Sequence, residues 1–210
     1  APLFKGNEDH FLGPNAHPTP TSGGGAAYVT ATDPVSLRDG IQRLVPGASL
    51  IETEDQIAAA KYLATLPYVD ANRIGIWGWS YGGYMSSLCI TKGADVFKTA
   101  IAVAPVTNWR FYDNIYTERF MRTPQENADG YDNNSPINFA KKLKGNFFLI
   151  HGSADDNVHY QNSMEFINQL IKENKQFHQF VYPNRNHNIT GGYTRFHLYT
   201  MLTDYILKNL

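Results

Sequence analysis

The feature that most constrains this 210-residue chain is a short apolar run leading straight into a glycine-rich turn around a serine. Residues 73–77, RIGIW, predict a buried strand, and the sequence after the turn returns to helical spacing and ends at Gly93. Residues 78–82 between them, GWSYG, match the pattern G-x-S-x-G. In this pattern a strained strand-to-helix turn presents the serine hydroxyl, here that of Ser80, at the sheet edge. The glycines are expected to let strand and helix approach closely.

Strand-like runs alternate with helical patterns along residues 51–210. Further strands are predicted at 99–103, 147–150 and 179–182, and helices at 53–66, 160–173 and 195–208. Such alternation is typical of a parallel sheet with helices on both faces. The predicted fold class is therefore α/β, of the α/β-hydrolase type, with residues 51–210 as one catalytic domain.

The first 50 residues form an atypical segment rich in proline and glycine. Residues 13–25 carry three prolines and four glycines, which favours irregular structure or a mobile arm. A strand over 27–32 and a helix over 34–44 are predicted there. An oxyanion loop is one interpretation of the glycines at 23–25, but the proline-, glycine- and serine-rich composition around them favours a flexible linker.

A nucleophilic serine needs a base and a carboxylate that orients the base. In this fold the order along the chain is serine, acid, histidine. Asp155 follows the strand 147–150 and His187 follows the strand that ends at Tyr182, so both lie beyond carboxyl ends of strands, as Ser80 does. Asp156 is the alternative acid. His151 also lies near this loop and is expected to brace it by hydrogen bonding, while the remaining histidines are interpreted as solvated or packing residues.

The backbone N–H of Tyr81, directly after the serine, is the expected oxyanion donor. The sequence identifies no second donor. The aromatic residues Trp109, Tyr112 and Tyr116 have helix-like spacing and, on spacing alone, favour core packing over a binding pocket.

Composition excludes several function classes. The 18 basic and 19 acidic side chains give a net charge of −1, which argues against nucleic acid or an anionic membrane surface as partner. The single Cys89 cannot form an internal disulfide. Without an apolar run of about 18 residues, no membrane segment is expected, and the first residues do not resemble a signal peptide. The expected partner is a peptide or small ester, with no cofactor and no metal.

Four long segments resemble the catalytic domain of the prolyl oligopeptidase family, in its dipeptidyl peptidase IV type. They are residues 52–88, 101–121, 134–140 and 151–162, the last reading HGSADDNVHYQN. The resemblance implies Ser80, Asp155 and His187 as catalytic triad. It implies a substrate site lined by Tyr81, Val106, Trp109, Tyr112, Tyr116, Arg119, Asn157 and Val158. It also implies a homodimer built partly by the final helix, and a periplasmic or extracellular location.

The sequence departs from the family in three ways. Residues 1–50 do not resemble the family, and its β-propeller, with the paired glutamates that bind a free amino terminus, is not found. Asn188 also stands where the family usually has glycine, which is expected to crowd the base loop.

Three hypotheses follow. The first is a serine peptidase cleaving after proline through an acyl-enzyme, the second an esterase for small substrates, and the third a catalytically weak interaction module.

Overall fold

The computed structural model describes residues 52–210. Its elements, in chain order, are α1 (Glu52–Leu63), β1 (Gly75–Trp79), α2 (Tyr81–Lys92), β2 (Thr99–Val103), α3 (Asn114–Met121), α4 (Ala128–Asn133), β3 (Asn146–Gly152), α5 (Gln161–Lys172), β4 (His178–Tyr182) and α6 (Thr194–Asn209). Two 3-10 helices, Trp109–Phe111 and Pro136–Lys142, lie between β2 and β3. The strand and helix predicted at 27–32 and 34–44, and the glycines at 23–25, lie outside the described residues.

The four strands form one parallel sheet in the order β1-β2-β3-β4, as the alternation of elements predicts. The first strand differs from its predicted bounds of 73–77, because it continues through Gly78 and Trp79, which pair with Ala102 and Val103. Glycine is poorly represented in strands, which hides this continuation in the sequence. The added residues carry the chain to the sheet edge immediately before Ser80.

Helices cover both faces of the sheet, and successive residues of β2 and β3 alternate between them. Ala100, Ala102, Phe147 and Leu149 pack with side chains of α2 and α5, including Cys89 and Phe166. Ile101, Val103, Phe148 and Ile150 pack with Leu198, Leu202 and Tyr205 of α6. Between residues 52 and 210, no helix is long and apolar enough to cross a membrane.

A third apolar cluster lies where the long β2–β3 connection packs on α2. It joins Tyr84, Met85, Leu88, Val106, Trp109, Met121, Tyr131 and Val158. Because the connection begins at the carboxyl end of β2, this cluster stands next to the turn that carries Ser80. The fold thus places an aromatic-rich wall beside the candidate nucleophile.

Candidate active site

Ser80 lies in the sharp turn between β1 and α2. Its backbone has φ 59° and ψ −117°, which is strained for a residue with a Cβ. The Ser80 N–H donates to the Val103 carbonyl at 2.8 Å, and the Ser80 carbonyl accepts from the Tyr84 N–H at 2.9 Å. The strained residue is therefore held by the sheet on one side and by the helix on the other.

Two of the glycines around Ser80 are required by close approach. A Cβ on Gly78 would lie 2.3 Å from the Gly82 carbonyl, and one on Gly83 would lie 2.7 Å from the Val103 carbonyl oxygen. Among the residues that the structure describes, a Cβ on Gly82 would meet nothing within 4 Å. The close approach of strand and helix that the motif predicts is therefore found at Gly78, which meets the backbone of Gly82, whereas a side chain on Gly82 would contact no described residue.

The carboxylate of Asp155 is fully buried and has four hydrogen-bond donors. Its Oδ1 accepts from the N–H groups of Asn157 and Val158, at 2.9 and 3.0 Å. Its Oδ2 contacts Nδ1 of His187 at 2.7 Å and Nε2 of His151 at 3.1 Å. Burial alone would raise the pKa of Asp155, but the hydrogen bonds from both imidazoles and the charge of His187 hold it well below its usual range. Asp155 is therefore an anion facing His187.

The loop that carries His187 is tied to the serine turn and to α6. Trp79, the residue before Ser80, donates its indole N–H to the His187 carbonyl at 2.9 Å. The Arg195 guanidinium donates to the Asn188 carbonyl at 3.0 and 3.2 Å and lies over the Trp79 ring at 5.3 Å. Sequence reasoning missed Trp79 and Arg195. Trp79 occupies a variable position of the motif, and no local sequence pattern indicates a role for Arg195.

Asn188 does not need the conformation that glycine favours. The left-handed backbone is found at the next residue, Ile189, with φ 47°. Ile189 is fully buried in the cluster beneath α6, so packing holds it in this conformation. The expected crowding at Asn188 therefore has no basis in its backbone angle.

Of the three candidate triad members, the structure joins two by a hydrogen bond. Asp155 contacts Nδ1 of His187, and Nε2 of His187 makes no hydrogen bond within the described part of the chain. Within residues 52–210 the Ser80 hydroxyl makes no hydrogen bond. Such contacts are often long in the absence of substrate. The Trp79–His187 bond keeps the base loop beside the serine turn.

The aromatic residues of the candidate substrate site form one contiguous cluster. The Trp109 ring lies 6.0 Å from Tyr81, 6.1 Å from Tyr112 and 6.2 Å from Tyr116, and the last pair is stacked. Trp109 is 2 % exposed and Tyr116 is 39 % exposed. The core interpretation thus fits Trp109, along with buried Val106 and Val158, while Tyr81, Tyr112 and Tyr116 keep accessible surface.

Asn157 is oriented by a neighbour in this cluster. The Tyr112 hydroxyl donates to Asn157 Oδ1 at 2.7 Å, so the amide NH₂ group is the part of Asn157 left to donate. Burial and the charges of Asp113 and Asp155 raise the pKa of Tyr112, which keeps its hydroxyl a donor.

Tyr112 and Asn157 open onto a groove of about 650 Å³. Asp156, the alternative acid, lines this groove, whereas Asp155 contacts His187. Arg119 follows Tyr116 on α3 and lies over the Phe120 ring at 5.4 Å. Within residues 52–210, no group of three or more His, Cys, Asp and Glu side chains is arranged to hold a metal ion.

Sequence comparison finds many similar proteins. Dipeptidyl peptidase 4 of Felis catus is 44% identical over 158 residues, which cover 74% of this chain and 21% of the relative. A probable dipeptidyl-aminopeptidase B of Paracoccidioides lutzii is 48% identical over 161 residues, which cover 75% of this chain and 18% of the relative. The chain thus spans about a fifth of the length of these relatives.

A solved structure supports the same assignment. The crystal structure of Porphyromonas gingivalis dipeptidyl peptidase 4 superposes with a TM-score of 0.75 at 54% identity, over 77% of this chain and 23% of that chain. This likeness confirms the predicted α/β-hydrolase fold. The sequence profile described as "Prolyl oligopeptidase family" matches residues 49–210, more than three quarters of the chain. The chain belongs to the prolyl oligopeptidase family.

Proposed function

We propose that this chain carries the catalytic site of a serine peptidase of the dipeptidyl peptidase IV type, which hydrolyses peptide bonds after proline. One observation carries the proposal: a fully buried, ionised Asp155 holds Nδ1 of a partly exposed His187 at 2.7 Å, beside a strained serine turn. A buried carboxylate with a purely structural role does not need an imidazole partner whose second ring nitrogen, among residues 52–210, makes no hydrogen bond. Relatives named as dipeptidyl peptidases support the substrate class.

Acylation begins when Ser80 Oγ attacks the carbonyl carbon of the scissile bond. The Oγ proton passes to His187 Nε2, and Asp155 stabilises the resulting imidazolium through Nδ1. The carbonyl electron pair moves to oxygen, which accepts a hydrogen bond from the Tyr81 N–H. The intermediate collapses, the C–N bond breaks, and the leaving amine takes the proton from Nε2. Water then attacks the acyl-enzyme by the same steps and regenerates Ser80.

Specificity for proline follows from the chemistry of the aromatic cluster. A pyrrolidine ring has no N–H to satisfy, so the accessible rings of Tyr81 and Tyr116, which pack on the buried Trp109, can contact it without leaving a polar group unpaired. The NH₂ group of Asn157, oriented by Tyr112, is a donor for a substrate carbonyl. Arg119 is the further residue proposed to line this site.

The test is turnover of glycyl-prolyl-p-nitroanilide by the full chain, wild type against Ser80→Ala. Ser153→Ala is the matched control, since Ser153 is an exposed serine after β3 that contacts Asn184. We expect turnover by wild type and Ser153→Ala and none by Ser80→Ala. Turnover of p-nitrophenyl acetate without turnover of the peptide would favour the esterase. Lack of reaction with both substrates and with a fluorophosphonate would favour the interaction module.

A further inference from the structure

Asp155 contacts a second imidazole on the same carboxylate oxygen that contacts His187. His151 lies in β3, its side chain is 1% exposed, and its Nε2 is 3.1 Å from Asp155 Oδ2 and 2.8 Å from the Val158 carbonyl oxygen. Its Nδ1 is 2.7 Å from the hydroxyl oxygen of Ser163 on α5. The buried ring therefore connects the carboxylate to a strand and a helix at once.

The partners of His151 determine where its proton lies. The Val158 carbonyl and the Asp155 carboxylate can only accept, so Nε2 must carry hydrogen. In the described part of the chain, the Ser163 hydroxyl has no other hydrogen-bond partner, so it donates to Nδ1. His151 is thus a neutral imidazole that donates from Nε2. The Tyr160 ring packs edge-on against it at 5.5 Å.

The other donors to Asp155 cannot substitute for this contact. The N–H groups of Asn157 and Val158 belong to the same loop as Asp155 and move with it. His187 lies on a different loop, after β4, and its imidazole is the group that Asp155 orients. Among the four donors, His151 alone belongs to the sheet, where Ser163 and the strand ladder fix it.

We propose that His151 is a positioning residue for the reaction, which holds the Asp155 carboxylate in line with His187 by donating a hydrogen bond from Nε2. This inference rests on the proposed function. Hydrogen bonds to a charged partner are strong enough that losing this one should slow proton transfer from Ser80 about tenfold or more.

Two substitutions at His151 separate the hydrogen bond from packing. Glutamine carries an amide N–H about as far along its side chain as Nε2, so His151→Gln keeps a donor for Asp155. Asparagine carries its amide at about the position of Nδ1, so His151→Asn keeps a partner for Ser163 and loses the contact with Asp155. His197→Asn is the control, because His197 contacts Tyr182 through Nδ1 outside this site.

The experiment measures the limiting rate constant and the half-saturating concentration for labelling of the full chain by a fluorophosphonate. We expect His151→Asn to lower the rate constant about tenfold or more without changing the half-saturating concentration. His151→Gln should stay within about threefold of wild type, and His197→Asn should match wild type. Since the rate constant reports only folded molecules, partial unfolding would reduce the labelled fraction and leave the rate constant unchanged.

The outcomes distinguish the two proposals. If wild type labels and His151→Asn labels equally fast, or if His151→Gln is as slow as His151→Asn, the role of His151 is refuted and the proposed function stands. If wild type does not label, both fall. A second measurement requires no variant: ¹⁵N NMR of the wild-type histidines should show His151 neutral with hydrogen on Nε2. An Nδ1–H tautomer or an imidazolium would overturn the inference.

Discussion

Two residues of the site adopt backbone conformations that their side chains disfavour. Ser80 has φ 59°, and Ile189, two residues after His187, has φ 47°. A β-branched residue at positive φ is a genuine outlier and persists only where surrounding contacts impose it. Ser80 is held by hydrogen bonds to the sheet and the helix, and Ile189 by complete burial. At the residue scale, the candidate nucleophile is itself a strained residue and the candidate base lies two residues before one, and neighbouring contacts maintain both conformations.

The ionised state of Asp155 should make folding sensitive to acid. Its folded-state pKa lies below the unfolded value near 3.8, so its contribution to stability is present above about pH 4 and is lost as pH falls toward the folded-state pKa. Between the two pKa values the free energy of unfolding should decrease by about 1.4 kcal/mol per pH unit from this group. The free energy of unfolding, measured in urea from pH 6 to pH 3, should therefore decrease less in Asp155→Asn than in wild type. Parallel curves would contradict the depressed pKa.

At the scale of elements, the site depends on how closely β1 approaches α2. The strand end and the first helical turn meet at Gly78 and Gly82, and Gly83 packs against the end of β2. Trp79 then links this turn to the His187 loop, and Arg195 links the loop to α6. Each catalytic candidate is thus carried by a loop whose two ends belong to different packed elements.

The two glycines of the motif should respond differently to alanine. Gly78→Ala would force a methyl group into the backbone of Gly82 and should destabilise the fold by about 2 kcal/mol or more. Gly82→Ala adds a methyl group near the start of α2 that meets none of the described residues, and it should leave stability unchanged or raise it by up to about 1 kcal/mol. Thermal unfolding measures both, with fluorophosphonate labelling as a check on the turn. Equal losses would show that Gly82 has a steric role that its Cβ direction does not reveal.

At the scale of the whole molecule, the sheet is covered by α2 and α5 on one face and by α6 on the other. The outer surface of α6 carries three large exposed apolar side chains among polar ones, with Phe196 75%, Tyr199 44% and Leu207 76% exposed. These residues share one helix face because their spacing of three and eight follows the helical repeat. An apolar stripe of this kind is typical of a protein interface. We therefore propose that the chain forms a homodimer through α6.

The dimer predicts a mass twice the 23.6 kDa of the chain in light scattering coupled to size exclusion. Phe196→Glu would bury a charge at the interface and should shift the protein to monomer. Ile171 is an exposed residue of α5, at the opposite face of the sheet. Ile171→Glu therefore introduces the same charge away from α6 and should leave the dimer intact. A monomeric wild type, or a dimer insensitive to Phe196→Glu, would refute this interface.

Local patterns were sufficient to predict the architecture. Helical and strand periodicity identified the parallel sheet, and the four long segments identified the family, because both signals come from consecutive residues. The order of Ser80, Asp155 and His187 also follows from chain order and strand ends. Asp155 and His187 prove to be hydrogen-bonded across 32 positions of sequence, while the catalytic roles of all three stay predictions.

Contacts between distant positions were decided only by tertiary structure. Trp79 meets the His187 carbonyl across 108 positions, and no spacing rule connects them. Tertiary structure also decided that Trp109 is buried while the neighbouring Tyr116 is exposed. The spacing of these residues in the sequence does not indicate which of them faces the core. The second imidazole on Asp155 depends on where α5 brings Ser163 against β3. Periodicity and local sterics act along the chain, whereas the direction and partner of each side chain depend on how the elements pack.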